Sequence, residues 1–544
     1  MRDLSRHTNE LIERLHKPPT LSQRIQGSRF TETEILATIG ESNEPLAIAG
    51  ILSFVLADQV DVATAAASAI HKLLSGRTTK ELISLETALR RDYSYAGHYA
   101  NDWFKLAPEE LLRLEAFGAA CCSLLGIASF HWSGYVREAA IQRLNLIDTG
   151  AELPFLLLRL NDWVSSVRIA AEKGVRSRLR PESALAVVAN LALVLRLKEL
   201  RRVDQNITRE ILSFLERREC SAAMRELLKS EDRRIRRASY QLLLATPQEG
   251  SSQLVIDALN EDDTLIRLAA ARRISADFTE ETSENLRHLT LMKRDRFMPV
   301  RREAFRINLR RSEGEVKATL SEALLDSNRS IRSEARYHSR KLGSIDVAGF
   351  YREHLQSQVR SNLYGVIDGL GETGAPADAQ LIVPYASHSV VKLRRAAIRA
   401  IGKLNTAAYI DLLLNALNDE APRVSHQALR ALLGNSGAVN PETAGELLRS
   451  GRYFHVRRNA LLLIEKLNKW DSIYYLFNAI TGEDKLIASQ SRLAIRAWIS
   501  RFNRSFVSPT SEQSARIKVA IAKCDGLLDD KMETQLLFVM KGFI

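Results

Sequence analysis

The side chains of this 544-residue sequence best suited to chemistry are arginines that recur at helical spacing. They lie in a repeated segment that opens with Val, Ile or Leu, usually followed by Arg, and continues with small and apolar residues. The copies are VREAAIQRL from Val136, VRIAAEKGV from Val167, IRRASYQLL from Ile235, IRLAAARRI from Ile266, VRREAFRIN from Val300, IRSEARYHS from Ile331, LRRAAIRAI from Leu393, VSHQALRAL from Val424 and VRRNALLLI from Val456. Counting the opening residue as place 0, places 0, +4 and +8 share one face of an α-helix, while places +2 and +6 point roughly 180° away. Across the copies those outward places hold Lys173, Arg237, Arg272, Arg302, Arg306, Arg395, Arg399, Arg430 and Arg458, against one acid, Glu138. Random placement of the chain's 77 Lys and Arg gives about 2.5 there, and an exposed face about twice that, so an excess remains. Such a stripe can follow a phosphate backbone or receive an acidic protein surface; a merely solvated face is its plain alternative.

Three other groups invite a chemical reading. Tyr93, Tyr95, Tyr99 and Trp103, with Arg90 and Arg91, have the composition of an interface hot spot, and equally that of aromatic packing across an irregular junction. Asp102-Trp103 and Asp162-Trp163 each set an acid beside an indole. Cys121, Cys122, Cys220 and Cys524 are too scattered for a disulfide framework and form no C-x-x-C pair, so they read as reduced, mostly buried thiols. There is no H-E-x-x-H, no Gly-rich loop ending in Lys-Ser/Thr and no G-x-S-x-G, and the 11 histidines never pair at i, i+4. No catalytic residue, cofactor or metal is therefore expected.

The elements that carry these residues follow from the spacing. Successive copies start 31 to 34 residues apart, except for gaps of 68 and 62 that degenerate copies at Ile207 and Val359 divide. About five residues before a copy stands an acid, as at Asp162, Asp295, Asp326 and Asp419, placed to cap the helix and to accept from arginines of neighbouring copies. Ahead of the acid runs a second apolar segment, ELPFLLLRL before Asp162 and YIDLLLNAL before Asp419, so each unit is two antiparallel helices. Arginines at place +1 (Arg137, Arg168, Arg267, Arg332) belong to the repeat itself and read as structural. The acid gives way to Gly451 before Val456 and to Ser387-His388 before Leu393, which predicts interruptions of the Asp–Arg ladder there.

This pattern, from about Glu109 to Arg501, resembles the short HEAT repeats of the phycobilin-lyase type, within the armadillo-like α-solenoids. The resemblance implies an all-α, right-handed superhelical solenoid of antiparallel helix pairs, the second helices lining its concave side. It also implies two enzymatic comparisons. Deoxyhypusine hydroxylases hold a di-iron site with His-Glu pairs, and this sequence contains no His-Glu dipeptide. HEAT-type alkylpurine DNA glycosylases use an acid and tryptophans on the concave face, which Asp162-Trp163 invites, but Asp162 already has the inter-helix role.

Composition agrees with a helical, folded chain. Hydrophobic residues make up 45% and charged residues 26%, while Gly (26) and Pro (13) are both scarce for turn-rich β architectures. The net charge of +12 permits an anionic partner. The opening MRDLSRHTNELIERLHKPPT has charges where a secretory signal needs an apolar run, and Pro45 to Ala57 is too short to cross a bilayer, so the expectation is a cytoplasmic protein with no membrane contact. Residues 1–43 read as an N-terminal helical cap, 44–78 as a degenerate first repeat, 79–108 as an aromatic-rich insertion or irregular repeat, 109–501 as the array and 502–544 as a polar C-terminal helical cap. The functional expectation is a non-enzymatic scaffold that binds a macromolecule, foremost a protein with an acidic surface, on its concave side. A nucleic-acid-binding protein using the same basic groove is the alternative, and a glycosylase-like enzyme the third reading. Oligomeric state is not legible.

Overall fold

The structure is a computed structural model that describes residues 4–17, 31–91, 101–245, 251–310, 313–357 and 362–543. Every regular element among the described residues is helical, so the chain is an α-solenoid of paired helices. It divides into two compact units, Met1–Asp277 and Phe278–Ile544. In the first unit the helices used below are α1 (Glu32–Gly40), α2 (Val60–Leu74), α3 (Thr79–Arg91), α4 (Gly134–Leu144), α5 (Leu153–Arg159), α6 (Ser165–Arg176), α7 (Gln205–Leu215), α8 (Arg233–Ala245) and α9 (Thr264–Asp277). In the second they are α10 (Met298–Leu309), α11 (Arg329–Leu342), α12 (Leu363–Thr373), α13 (Val391–Leu404), α14 (Ile410–Leu417), α15 (Pro422–Leu432), α16 (Pro441–Ser450), α17 (Phe454–Ile464), α18 (Lys469–Ile480) and α19 (Lys485–Ser500).

Each repeated segment forms the second helix of its pair, and its phase is the one the spacing predicts. Val424, Ala428 and Leu432 of α15, like Val456, Ala460 and Ile464 of α17, are fully buried, while His426, Arg430 and Arg458 face solvent. Neither single helix could bury that apolar stripe alone; it is covered by the partner helix of its own pair and by the next pair. Second helices thus stack directly, α12 on α13, α13 on α15 and α15 on α17. Ile207, Ile211 and Leu215 of α7 bear out the degenerate copy in the first long gap. Val359 lies outside the described residues; the helix that fills the second gap is α12, which keeps the 31-residue period if its place 0 is Asn362.

A glycine at place +9 sets the spacing of that stack. A Cβ on Gly371 of α12 would stand 2.5 Å from Ala400 Cβ and 2.7 Å from Ala400 Cα of α13, and one on Gly402 would stand 2.5 Å from Ala431 Cβ of α15. Gly40 meets Ala69 of α2 in the same way, with 2.9 Å to its Cα. The segment read as an N-terminal cap therefore contributes α1, which packs on α2 as one second helix packs on the next. Because backbone atoms are what the added methyl would meet, Gly371→Ala is expected to force α12 and α13 apart and to cost about 1–3 kcal/mol, read as a lower midpoint in urea. An unchanged midpoint would show that the close contact is dispensable.

The ends of the predicted organisation differ in character from the expectation. The last two helices, Ser511–Ala522 and Asp530–Met540, do cover the preceding pair, yet Leu537 and Phe538 are 75% and 82% exposed, so the outer face is not polar throughout. In the predicted insertion Tyr93, Tyr95 and Tyr99 lie outside the described residues, as does the side chain of Arg91. Trp103 is 2% exposed, and the main-chain carbonyls of Trp103 and Phe104 accept from His131 and from the Trp132 indole N–H. Its assignment as an interface aromatic is corrected: the ring is core, held by the loop ahead of α4. Trp103→Leu is expected to lower stability by about 2 kcal/mol while leaving partner capture per folded molecule unchanged. The reverse outcome would restore the interface role. Pro108–Ala128 is apolar and long, but it breaks at Gly118, whose φ of 51° lies in the left-handed region.

Candidate partner-binding face

The arginine at place +1 and the acid before each copy form one repeating device. Arg301 Nε and Nη2 donate to the two carboxylate oxygens of Asp326 at 2.9 Å each, and Arg394 does the same to Asp419 at 2.8 and 3.0 Å. The acid lies 25 residues on, so each fork ties one pair to the next. The remaining Nη1 donates to the carbonyl six residues back, as from Arg301 to Asp295, Arg332 to Asp326 and Arg457 to Gly451. The acid also caps: Asp326 accepts from Asn328 N–H at 2.6 Å and Asp419 from Ala421 N–H at 2.8 Å. These arginines are spent on the fold.

The predicted interruptions are absorbed. His388 fills the place of the acid, and its Nδ1 accepts from Val390 N–H at 3.0 Å, as His131 does from Ser133 N–H at 3.1 Å. Where Gly451 leaves no carboxylate, the preceding copy has Ser425 instead of arginine, and its hydroxyl donates to the Leu417 carbonyl at 2.5 Å. An acceptor and its donor are therefore missing together, and no buried charge is stranded.

The nine outward basic residues separate into two classes. Arg302 and Arg306 of α10 both donate to Glu334 of α11, at 2.6 and 3.1 Å. Arg399 of α13 donates to Asp368 of α12 at 2.6 Å and to Tyr364 at 3.0 Å, and Arg237 of α8 pairs with Asp263 at 2.8 Å. Burial opposes ionisation of Glu334, but the Arg302 and Arg306 hydrogen bonds and charges outweigh it and hold its carboxyl below the usual range. These four are corrected: they stand on the outward face, and neighbouring carboxylates of the same unit engage them. Reading one copy at a time missed the acids. Asp368 lies at place +6 of the copy that was phased to Val359, and the 31-residue period is the signal that finds it.

Lys173 and Arg272 in the first unit, and Arg395, Arg430 and Arg458 in the second, have no carboxylate partner among the described residues. The last three sit on α13, α15 and α17, which stack in succession. Around them charge is sorted by layer. The second helices α13, α15, α17 and α19 contain 12 Lys and Arg and no Asp or Glu, whereas the intervening first helices α14, α16 and α18 contain four acids and two basic residues. Beside this stripe Leu462 and Leu493, both at place +6, are 38% and 60% exposed. A face of arginines mixed with exposed leucines can pair with carboxylates and cover apolar side chains at once.

Asp162, the acid of the enzymatic comparison, is buried and engaged by arginines of its own unit. Its side chain is 0% exposed and accepts from Arg137 at 2.9 and 2.8 Å, from Arg159 at 3.0 Å, from Arg90 at 3.1 Å and from Val164 N–H at 3.0 Å. Burial also raises the thiol of Cys122 to about 12, which suits a core thiol rather than a nucleophile. Among the described residues no group of three His, Cys, Asp or Glu is placed to hold a metal ion.

The sequence model of HEAT repeats matches residues 352–433 and 379–453, which together span α12 to α16. Among solved structures, yeast importin-beta, Kap95p, is 14% identical over 99% of this chain and 67% of its own, with a TM-score of 0.34. The complex in which Kap95p binding induces the switch loops of RanGDP to adopt the GTP-bound conformation gives 12%, 98%, 66% and 0.31. Kap121p bound to Nup53p gives 11%, 99%, 58% and 0.32. This chain spans 66% and 58% of the length of the chains in the latter two structures, less than two thirds of each. No curated protein sequence matches.

Proposed function

We propose that this chain, whose residues 352–453 match HEAT repeats, holds a protein partner with an acidic surface on the second-helix face of residues 391–500, without chemistry of its own. The observation that carries this reading is the sorting of charge, 12 basic residues and no acid on four stacked helices, with Arg395, Arg430 and Arg458 on three of them lacking a carboxylate partner among the described residues. Five of the twelve, Arg394, Arg399, Lys403, Arg457 and Arg496, pair with carboxylates from outside these helices, and the others leave a positive field that an anionic surface can neutralise. Leu462 and Leu493 favour a protein, because a phosphate backbone offers nothing to exposed aliphatic side chains.

Affinity capture of the full chain from its native cell extract, with and without nuclease, tests the reading. A partner that survives nuclease and is released by rising salt is the expected result. Late elution from heparin together with co-purifying nucleic acid, and loss of the partner on nuclease treatment, would instead assign the stripe to a phosphate backbone.

A further inference from the structure

A second place in the molecule carries more positive charge than its own carboxylates can balance. In the first unit a cavity of about 120 Å³ opens where the turn between α5 and α6 meets α3 and the helix Leu191–Leu197. Its apolar walls are leucines from α5 and from residues 193–200, and its polar lining includes Arg90, Arg159, Arg196, Arg202, Glu86 and Asp162. Trp163 forms one side, with the Arg90 and Arg137 guanidinium carbons 4.9 and 4.7 Å from its ring centre.

Counting charges around this space leaves a surplus. Asp162 is used up by Arg137, Arg159 and Arg90, as described above. Glu86 is shared between Arg159 and Arg90. Arg196 and Arg202 have no carboxylate partner among the described residues, so five guanidinium groups face two carboxylates. The Nε atoms of Arg159, itself 1% exposed, and of Arg90 are enclosed and lack an acceptor. Burial, and then the nearby charge of Arg159, lower the affinity of Arg90 for its proton, as expected of a guanidinium held among others of its kind. The two without a carboxylate, Arg196 half-buried and Arg202 exposed, are guanidinium groups that a solute can reach, and the component that would balance them is an anion with several acceptor oxygens.

We propose that this cavity binds a phosphate dianion, whose two charges offset most of the surplus and whose oxygens accept from Arg196 and Arg202. A monoanionic carboxylate would leave most of the surplus in place, and it brings fewer acceptors to guanidinium forks arriving from separate segments. The phosphate is either free inorganic phosphate or the phosphoryl group of a phosphoserine, and the chemistry of capture is the same for both.

The test uses the full-length chain, inorganic phosphate and a phosphoserine peptide with its unphosphorylated twin. Titration by calorimetry at constant ionic strength, with chloride as the reference anion, is expected to show phosphate binding and a phosphate-dependent rise in melting temperature. Arg196→Gln with Arg202→Gln removes two charge-assisted contacts and is expected to weaken phosphate binding on the order of a hundredfold, without moving the melting temperature in chloride. Arg458→Gln is expected to leave phosphate binding unaltered. Competition by the phosphoserine peptide alone identifies a carried phosphoryl group; phosphate binding without peptide competition identifies the free anion. Absence of any phosphate-specific binding in the wild-type chain, or equal binding by the double variant, overturns the assignment.

Discussion

Asp162→Ala is expected to destabilise the first unit by about 3–5 kcal/mol, the range found when one partner of a buried ion pair is removed. The magnitude follows from what is left behind. Arg137 and Arg159 are 0% and 1% exposed, and both keep their charge in the variant while losing their only shared carboxylate, and Val164 N–H loses its cap. Chemical denaturation should show a lower midpoint with an unchanged slope. The same group makes a pH prediction. Burial raises the Asp162 pKa, but the Arg137 hydrogen bond, the Val164 N–H and the charges of Arg159 and Arg137 outweigh it and bring it down to about 2 from the model-peptide value of 3.8. A depressed carboxylate contributes stability that is complete above the unfolded value and is lost as pH falls through the folded one, so the wild-type chain should lose this contribution between about pH 4 and pH 2. The variant should show a flatter acid limb. If Asp162→Ala melts within about 0.5 kcal/mol of wild type, the inter-pair fork is not what holds these repeats together.

Reversing Arg395, Arg430 and Arg458 to Glu is expected to weaken partner binding by about 2–4 kcal/mol, which is roughly thirtyfold to a thousandfold, with folding stability changed by no more than about 0.5 kcal/mol. None of the three has a carboxylate to lose among the described residues, so the effect on the fold stays small while the field of the face changes by six charges. Arg302, Arg306 and Arg399 are unsuitable for this experiment. Glutamate at 302 or 306 would stand against Glu334, and at 399 against Asp368, so those variants would report repulsion inside the repeat stack. Binding of the wild-type chain at three salt concentrations, measured against the captured partner and against duplex DNA, separates the two anionic partners. Duplex should show a linear fall of log affinity with log salt, and an acidic protein a shallower one. A folded triple variant that binds its partner as well as wild type reduces the stripe to a solvated surface.

The sequence by itself determined the helix pairs and their phase, because an apolar period of 3.6 residues inside a 31-residue repeat can be buried in only one way. Ala396 and Ala428 are fully buried as that period demands, and the +1 arginines and their acids form the predicted ladder because both partners recur at fixed distances in the chain. The same period marks where cations stand on the outward face, but not whether they are free. That depends on residues one repeat away at places that vary between copies, such as Glu334 below Arg302 or Asp368 beside Arg399, and only the stacking of α10 on α11 and of α12 on α13 brings them together. Trp103 differs for a related reason: an aromatic in an irregular segment has no period to reveal its direction, and its burial follows from the loop that folds over it. The arginine cavity in the first unit, assembled from α3, the turn after α5 and residues 193–202, was likewise invisible in a linear reading, since its charges come from three segments that share no repeat place and meet only through packing.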